Sequence, residues 1–169
     1  MGSVNKGGEM PGNIDEIARR LQETVLQGYS EKLGDELFNA QSIGEIKNPD
    51  SHVRITGVCG DTVEMYLAIK DGKIDDIKFM TDGCGATIAC ASYVTRMVRG
   101  KAITDALLMK PKDVDSYFEG LPDESKHCAK LAVDTLKAAL KRYEIQEQKV
   151  KIPSVKRKEK DRNAETGIF

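Results

Sequence analysis

The chain has 169 residues, 40% hydrophobic and 31% charged, with a net charge of −1, which suits one sizeable core and asks for no second domain. That balance supplies no global field for nucleic acid or for an acidic membrane surface, and no apolar run approaches the roughly 20 residues of a membrane-spanning helix. The polar, glycine-rich opening from Met1 to Gly12 lacks the apolar stretch of a secretory signal and the arginine pattern of a transit peptide, so a cytoplasmic location is expected.

Asn13 followed by Glu16 reads as an N-cap with its capping-box partner, and Ile14, Ile17, Ala18, Leu21, Val25 and Leu26 recur at helical spacing until Gly28. Ser30 can cap a second, shorter helix carrying Leu33, Leu37 and Phe38, after which Asn48-Pro49-Asp50 marks a loop. Val53, Ile55 and Gly57 suggest a strand. Val63, Met65, Leu67 and Ile69 then alternate with Glu64, Tyr66 and Ala68 as a half-buried strand does. Asp71-Gly72 is a hairpin turn, and the return strand runs through Ile74, Ile77 and Phe79 to Thr81-Asp82-Gly83.

From Ala86 to Val98 the apolar period becomes helical, and Gly100 closes the helix. Thr104 is the expected cap of a short helix through Leu108, and Asp113 to Phe118 makes another turn or two after the break at Lys110-Pro111. Leu121-Pro122-Asp123 leads into the longest helix, from about Glu124 to Tyr143, with Cys128, Leu131, Ala132, Thr135, Leu136 and Ala139 on one stripe. The expected fold class is α+β, a small three-stranded antiparallel sheet packed by several helices with a long C-terminal helix. One domain over residues 13–143 is expected between a flexible N-terminus, 1–12, and a tail, 144–169. Seven lysines and arginines stand against two acids between Lys149 and Arg162, so the tail reads as a solvated, disordered end.

Four cysteines in a reducing compartment are poor candidates for a disulfide framework and better ones for ligands, nucleophiles or buried small residues. Cys59-Gly60-Asp61 falls in a turn where glycine lets the chain bend; alone it is an ordinary hairpin. Cys84 lies in Asp82-Gly83-Cys84-Gly85, at the step from strand to helix, where unpaired amides favour a thiolate. His127-Cys128 begins the last helix. Cys128 also opens the apolar stripe, whereas His127 is off it and can serve as a nitrogen ligand or proton acceptor. Each feature is weak by itself, and no CxxC pair makes a conventional zinc motif. Three thiols at strand ends and helix starts, with Asp61 and His127, nonetheless suit one soft-metal pocket for zinc or an iron-sulfur cluster.

Ordered motifs turn this pocket into a resemblance. Tyr29-Ser30-Glu31-Lys32, Cys59-Gly60-Asp61, Asp82-Gly83-Cys84-Gly85-Ala86-Thr87-Ile88-Ala89 and His127-Cys128-Ala129-Lys130-Leu131-Ala132 resemble the IscU-type scaffold and the N-terminal domain of NifU. The resemblance implies helices on a three-stranded sheet and a carrier rather than an enzyme. It implies that a cysteine desulfurase passes persulfide sulfur to the chain, iron arrives with an iron donor or a ferredoxin-type reductant, and a 2Fe-2S or 4Fe-4S cluster goes to apo acceptor proteins. Cys59, Cys84 and Cys128 would bind the cluster, with Cys128 the first persulfide acceptor. Asp61 and His127 would share the fourth position, with zinc or iron in the resting form, in a monomer or homodimer that binds neither nucleic acid nor membrane.

Leu121-Pro122-Asp123-Glu124-Ser125 departs from the Leu-Pro-Pro-Val-Lys by which the family meets its chaperone, so the resemblance does not extend to chaperone recognition. Cys90 stands where a serine is common and reads as a buried small residue. A SufU-like zinc-bound persulfide acceptor is the alternative, although that branch carries an insertion between its second and third cysteines and lacks a histidine before the third.

Overall fold

Strands β1 (Ser51–Thr56), β2 (Thr62–Lys70) and β3 (Lys73–Thr81) form one antiparallel sheet in the order β1-β2-β3. The computed structural model describes residues 14–151. Alternation along central β2 sends Val63, Met65 and Leu67, all at 0% exposure, to the face that the helices cover. The Asp71-Gly72 hairpin takes positive φ at both residues, 52° and 72°, as the type I′ turn between twisted strands requires. Ile74 and Ile77 are both fully buried although three residues apart, a spacing that would put them on opposite faces of a regular strand. A register shift opposite Ala68 and Ile69 reconciles them.

Seven helical segments accompany the sheet among the described residues: α1 (Ile14–Val25), α2 (Glu31–Phe38), α3 (Gly85–Val98), α4 (Ile103–Ala106), α5 (Pro111–Tyr117), a 3-10 turn (Asp123–Ser125) and α6 (Lys126–Lys151). α3 is buried almost all round, with Ala86, Thr87, Ala89, Cys90, Ala91, Val94 and Val98 inside. It lies between the sheet and α2, and α6 packs beside it across β1 and β2. Ser51 Oγ donates to Ala139 O at 2.7 Å and pins β1 to α6, while Tyr29 OH and Ser125 Oγ, 3.0 Å apart, join the start of α2 to the turn before α6.

Several expectations shift. Ser30 caps α2 as expected, its side chain accepting from Leu33 N, and Asn13 lies outside the described residues. The stripe on α1 is real but largely uncovered, with Ile14 80% and Leu21 61% exposed. Leu26 packs inward, where Gly34 leaves it room. Ala102, not Thr104, is the cap of α4. α5 starts at Pro111 instead of Asp113, since proline suits a first helical position that has no amide to lose. The last helix begins at Lys126 after the 3-10 turn and continues past Tyr143 to Lys151, so residues 144–151 are helical where a structureless tail was expected. Residues 152–169 lie outside the described part.

Candidate metal centre

Two loops and two helix starts meet at one end of the sheet. Between β1 and β2 the chain turns through Cys59-Gly60-Asp61, with Gly57 N bonded to Asp61 O at 2.8 Å. Gly60 adopts φ 88°, a conformation that favours glycine. The segment leaving β3 is tied to the start of β2: Thr62 N donates to Asp82 Oδ1 at 2.7 Å, and Thr81 Oγ1 to Thr62 O at 2.6 Å. These bonds set Gly83 and Cys84 beside Asp61. Glycine at 83 is needed for space, because a Cβ there would stand 2.8 Å from Asp61 Oδ2 and from Thr87 Cβ.

Ligand atoms of Asp61, Cys84 and Cys128 all lie within 4.8 Å of one another. Cys84 is the N-cap residue of α3 but makes no side-chain cap bond. Asp61 does that work from another loop, its Oδ2 accepting from Cys84 N at 3.3 Å and satisfying a free amide at the positive end of the helix. Thr87 Oγ1 donates to the same oxygen at 2.6 Å. The Thr87 hydroxyl is the main reason that the Asp61 carboxyl sits below its ordinary value, helped by the Cys84 amide and the Cys59 and Cys84 thiols and opposed by burial.

Cys59 is exposed and stands outside the group of three, though its thiol favours the ionised form of Asp61. Cys84 is also exposed, whereas Cys128, in the first turn of α6, is buried. Burial pushes the Cys128 thiol up to about 11, against the contact with Thr87, which favours the thiolate, and with a further push from Cys84 and Cys59. Helix-start amides were expected to favour a thiolate; at Cys128 desolvation outweighs them. His127 is half-buried and outside the group of three. Cys90 is buried at 0% exposure among core residues, and desolvation is the main cause of its strongly raised pKa.

Sequence reasoning gave Thr87 no role. It lies 2.6 Å from Asp61 Oδ2, 3.2 Å from Cys128 Sγ and 3.6 Å from Cys84 Sγ. The signal was its place three residues after Cys84, on the same face of the helix start. Two thiols and a carboxylate are a donor set suited to a soft or borderline metal.

The NifU-like N terminal domain family matches residues 28–150. The iron-sulfur cluster assembly scaffold protein IscU 1 of Archaeoglobus fulgidus is 40% identical over 116 residues, covering 68% of this chain and 76% of that protein. The scaffold protein IscU of Escherichia coli K12 is 38% identical over 120 residues, covering 68% and 93%. Among solved structures, an N-terminal NifU-like protein from Brucella abortus superposes with a TM-score of 0.60 at 23% identity, over 72% of this chain and 98% of that one. A putative iron-sulfur scaffold of the SUF system from Fervidobacterium islandicum gives 0.57 at 22% identity, over 68% and 98%. Those two likenesses speak for the fold. The chain belongs to the NifU-like N-terminal domain family, the family of the IscU-type scaffolds.

Proposed function

We propose that this protein is a scaffold on which an iron-sulfur cluster is built from desulfurase-derived sulfur and iron and then handed to apo-proteins. The observation that carries the reading is the convergence of Asp61, Cys84 and Cys128 within 4.8 Å. The names of the relatives at 38–40% identity support it. In this reading Cys59, Cys84 and Cys128 hold the cargo as thiolates. Asp61 supplies a hard oxygen that exchanges readily among soft ligands, and His127 is the alternative fourth ligand. The protein carries the cluster and catalyses no reaction of its own.

Sulfur arrives on Cys128. Its thiolate attacks the outer sulfur of the desulfurase persulfide, the donor S–S bond breaks, the donor cysteine leaves as a thiolate, and Cys128 carries the new persulfide. A buried thiol raised to about 11 is a poor nucleophile, so iron held by Asp61 and Cys84 comes first and its positive charge favours the Cys128 thiolate. Four free cysteines suit a reducing, cytoplasmic setting, and among the described residues no helix is long and apolar enough to cross a membrane.

The test is anaerobic reconstitution with ferrous iron, cysteine and a cysteine desulfurase, followed by visible absorption and then by transfer to an apo-ferredoxin. A coloured, transferable cluster is expected; a colourless protein refutes the scaffold reading. A persulfide on Cys128 beside a tightly held zinc, with no colour, would establish the SufU-like alternative. Cys128→Ser should abolish the persulfide adduct seen by mass spectrometry, whereas Cys90→Ser should leave assembly intact.

A further inference from the structure

Building on the scaffold reading, we propose that Thr87 is the positioning residue that makes Asp61 a one-oxygen ligand for the cargo metal. Its hydroxyl behaves unlike those of the other buried helical threonines among the described residues. Thr95 Oγ1 turns back to Ser92 O at 2.9 Å and Thr135 Oγ1 to Leu131 O at 2.7 Å, the usual recourse of a threonine inside a helix. Thr87, at 0% exposure, points across the site instead and touches all three members of the ligand group.

A hydroxyl has one proton to give. Asp61 Oδ2 is the closest acceptor, at 2.6 Å, a distance typical of a charge-assisted bond to a carboxylate. Cys128 Sγ, at 3.2 Å, is the more distant competing acceptor, while the Cys84 thiol, 3.6 Å away, can direct its own proton at the Thr87 oxygen. Once the thiolates hold metal their lone pairs are engaged there, and the Thr87 proton stays on the shorter bond to Asp61. The influence of Thr87 on the loaded site therefore runs through Asp61.

That bond fixes the ligand mode. Oδ2 already accepts from Thr87 Oγ1 at 2.6 Å and from Cys84 N at 3.3 Å, so Oδ1 is left for the metal, and chelation by both oxygens would break the cap on α3 as well as the hydroxyl bond. The hydroxyl has little freedom to leave. The position that a Cβ on Gly83 would take lies 2.8 Å from both Thr87 Cβ and Cγ2, so backbone and side chain are already in close contact on that side.

The test is an anaerobic cobalt(II) titration of the full metal-free chain, read by d–d and thiolate-to-cobalt charge-transfer absorption. Thr87→Val, of matching shape, and Thr87→Ser, which keeps the hydroxyl, are compared on the unaltered and Asp61→Ala backgrounds, with circular dichroism to verify folding. Thr87→Val should lower cobalt affinity about 10–100-fold, the usual effect of losing a residue that orients a ligand. It should shift the d–d bands and spare the charge-transfer intensity that reports the thiolates. Thr87→Ser should bind as the unaltered chain does, and on the Asp61→Ala background Thr87→Val should cost nothing more. Equal binding by Thr87→Val and the unaltered chain overturns the proposal, as do losses that add on the Asp61→Ala background or a serine variant as weak as the valine. If the unaltered chain binds no cobalt and builds no cluster, the scaffold reading falls and takes this proposal with it. If it does both and Thr87→Val is indifferent, the positioning role alone falls.

Discussion

Gly83→Ala tests the close fit behind the site. The new methyl would stand 2.8 Å from Asp61 Oδ2, Thr87 Cβ and Thr87 Cγ2, whereas carbon contacts are comfortable at about 3.5–4.0 Å, so something must move by ~0.7 Å or more. Thr87 Cβ belongs to the buried first turn of α3 and cannot give. Either the carboxylate swings away from Thr87, or the segment carrying Cys84 lifts off β2. Overpacking of this kind costs about 1–3 kcal/mol, offset by about 0.4–1 kcal/mol because alanine has fewer unfolded conformations than glycine. The net expectation is ~1–2 kcal/mol lost by denaturant unfolding at unchanged m. Cobalt affinity should also fall by about tenfold or more if, as proposed, Asp61 is a ligand and Thr87 orients it. Gly100→Ala is the control. Gly100 has φ 79° and open space around its missing Cβ, so alanine there brings only the ~1–2 kcal/mol of left-handed backbone strain and should leave cobalt binding alone. An alanine at 83 that preserves both the unfolding midpoint and the cobalt affinity refutes the steric reasoning.

Three further outcomes follow from burial and charge. In the metal-free protein at pH 8, iodoacetamide followed by peptide mass spectrometry should label exposed Cys59 and Cys84 well before Cys128 and Cys90. A thiol at about 11 in place of 9.0 holds about a hundredfold less thiolate, and equal labelling of Cys84 and Cys128 would contradict this. Glu64 is held below its ordinary 4.5 by His52 first and Tyr66 next, with burial opposing and Arg54 assisting. The advantage of the unaltered protein over Glu64→Gln should therefore be complete above pH 4.5 and vanish as the pH falls through the lower folded value, as unfolding curves across pH 3–7 would show. Tyr29→Phe leaves the Ser125 hydroxyl, in a residue only 3% exposed, without its partner and should cost about 1–3 kcal/mol, whereas adding Ser125→Ala should recover most of it; a double variant as unstable as the sum would show that the bond contributes nothing.

The parts legible in the sequence were those governed by near neighbours. The alternation from Val63 to Ile69, the Asp71-Gly72 turn and the Ser30 cap each depend on a few adjacent residues, and each stands where it was expected. Parity failed at Ile74 and Ile77, because the register shift that buries both arises from pairing with β2. The end of the last helix was read at Tyr143, where the apolar stripe stops, but helix propagates on backbone hydrogen bonds and charged residues support it, with Lys151 and Glu147 one turn apart. On α1 the apolar stripe was readable and its exposure was not, since burial depends on what lies opposite. The same limit applied at the centre: glycine-bracketed cysteines advertise a site, but a threonine hydroxyl bridging Asp61 and Cys128 across 26 and 41 residues of chain leaves no local mark.

On the proposed scaffold reading, the arrangement also explains how a site can hold cargo and survive without it. A structural zinc site commonly supplies the folding energy of its domain. Here Val63, Met65, Leu67, Phe79, Val94 and Leu136 form a fully buried apolar core, and the carboxylate proposed to bind metal already caps α3 through Cys84 N and accepts from Thr87 Oγ1. Departure of the cargo therefore leaves no orphaned buried group at Asp61, and arrival need not break the cap because a second carboxylate oxygen remains. Cys128 is enclosed beside this polar knot, while Cys59 and Cys84 stand open to solvent. On the proposed scaffold reading, cargo held in that way is gripped from the rear and reachable from the front, so an acceptor thiol would replace Cys59 and Cys84 one at a time while the fold behind them stays intact.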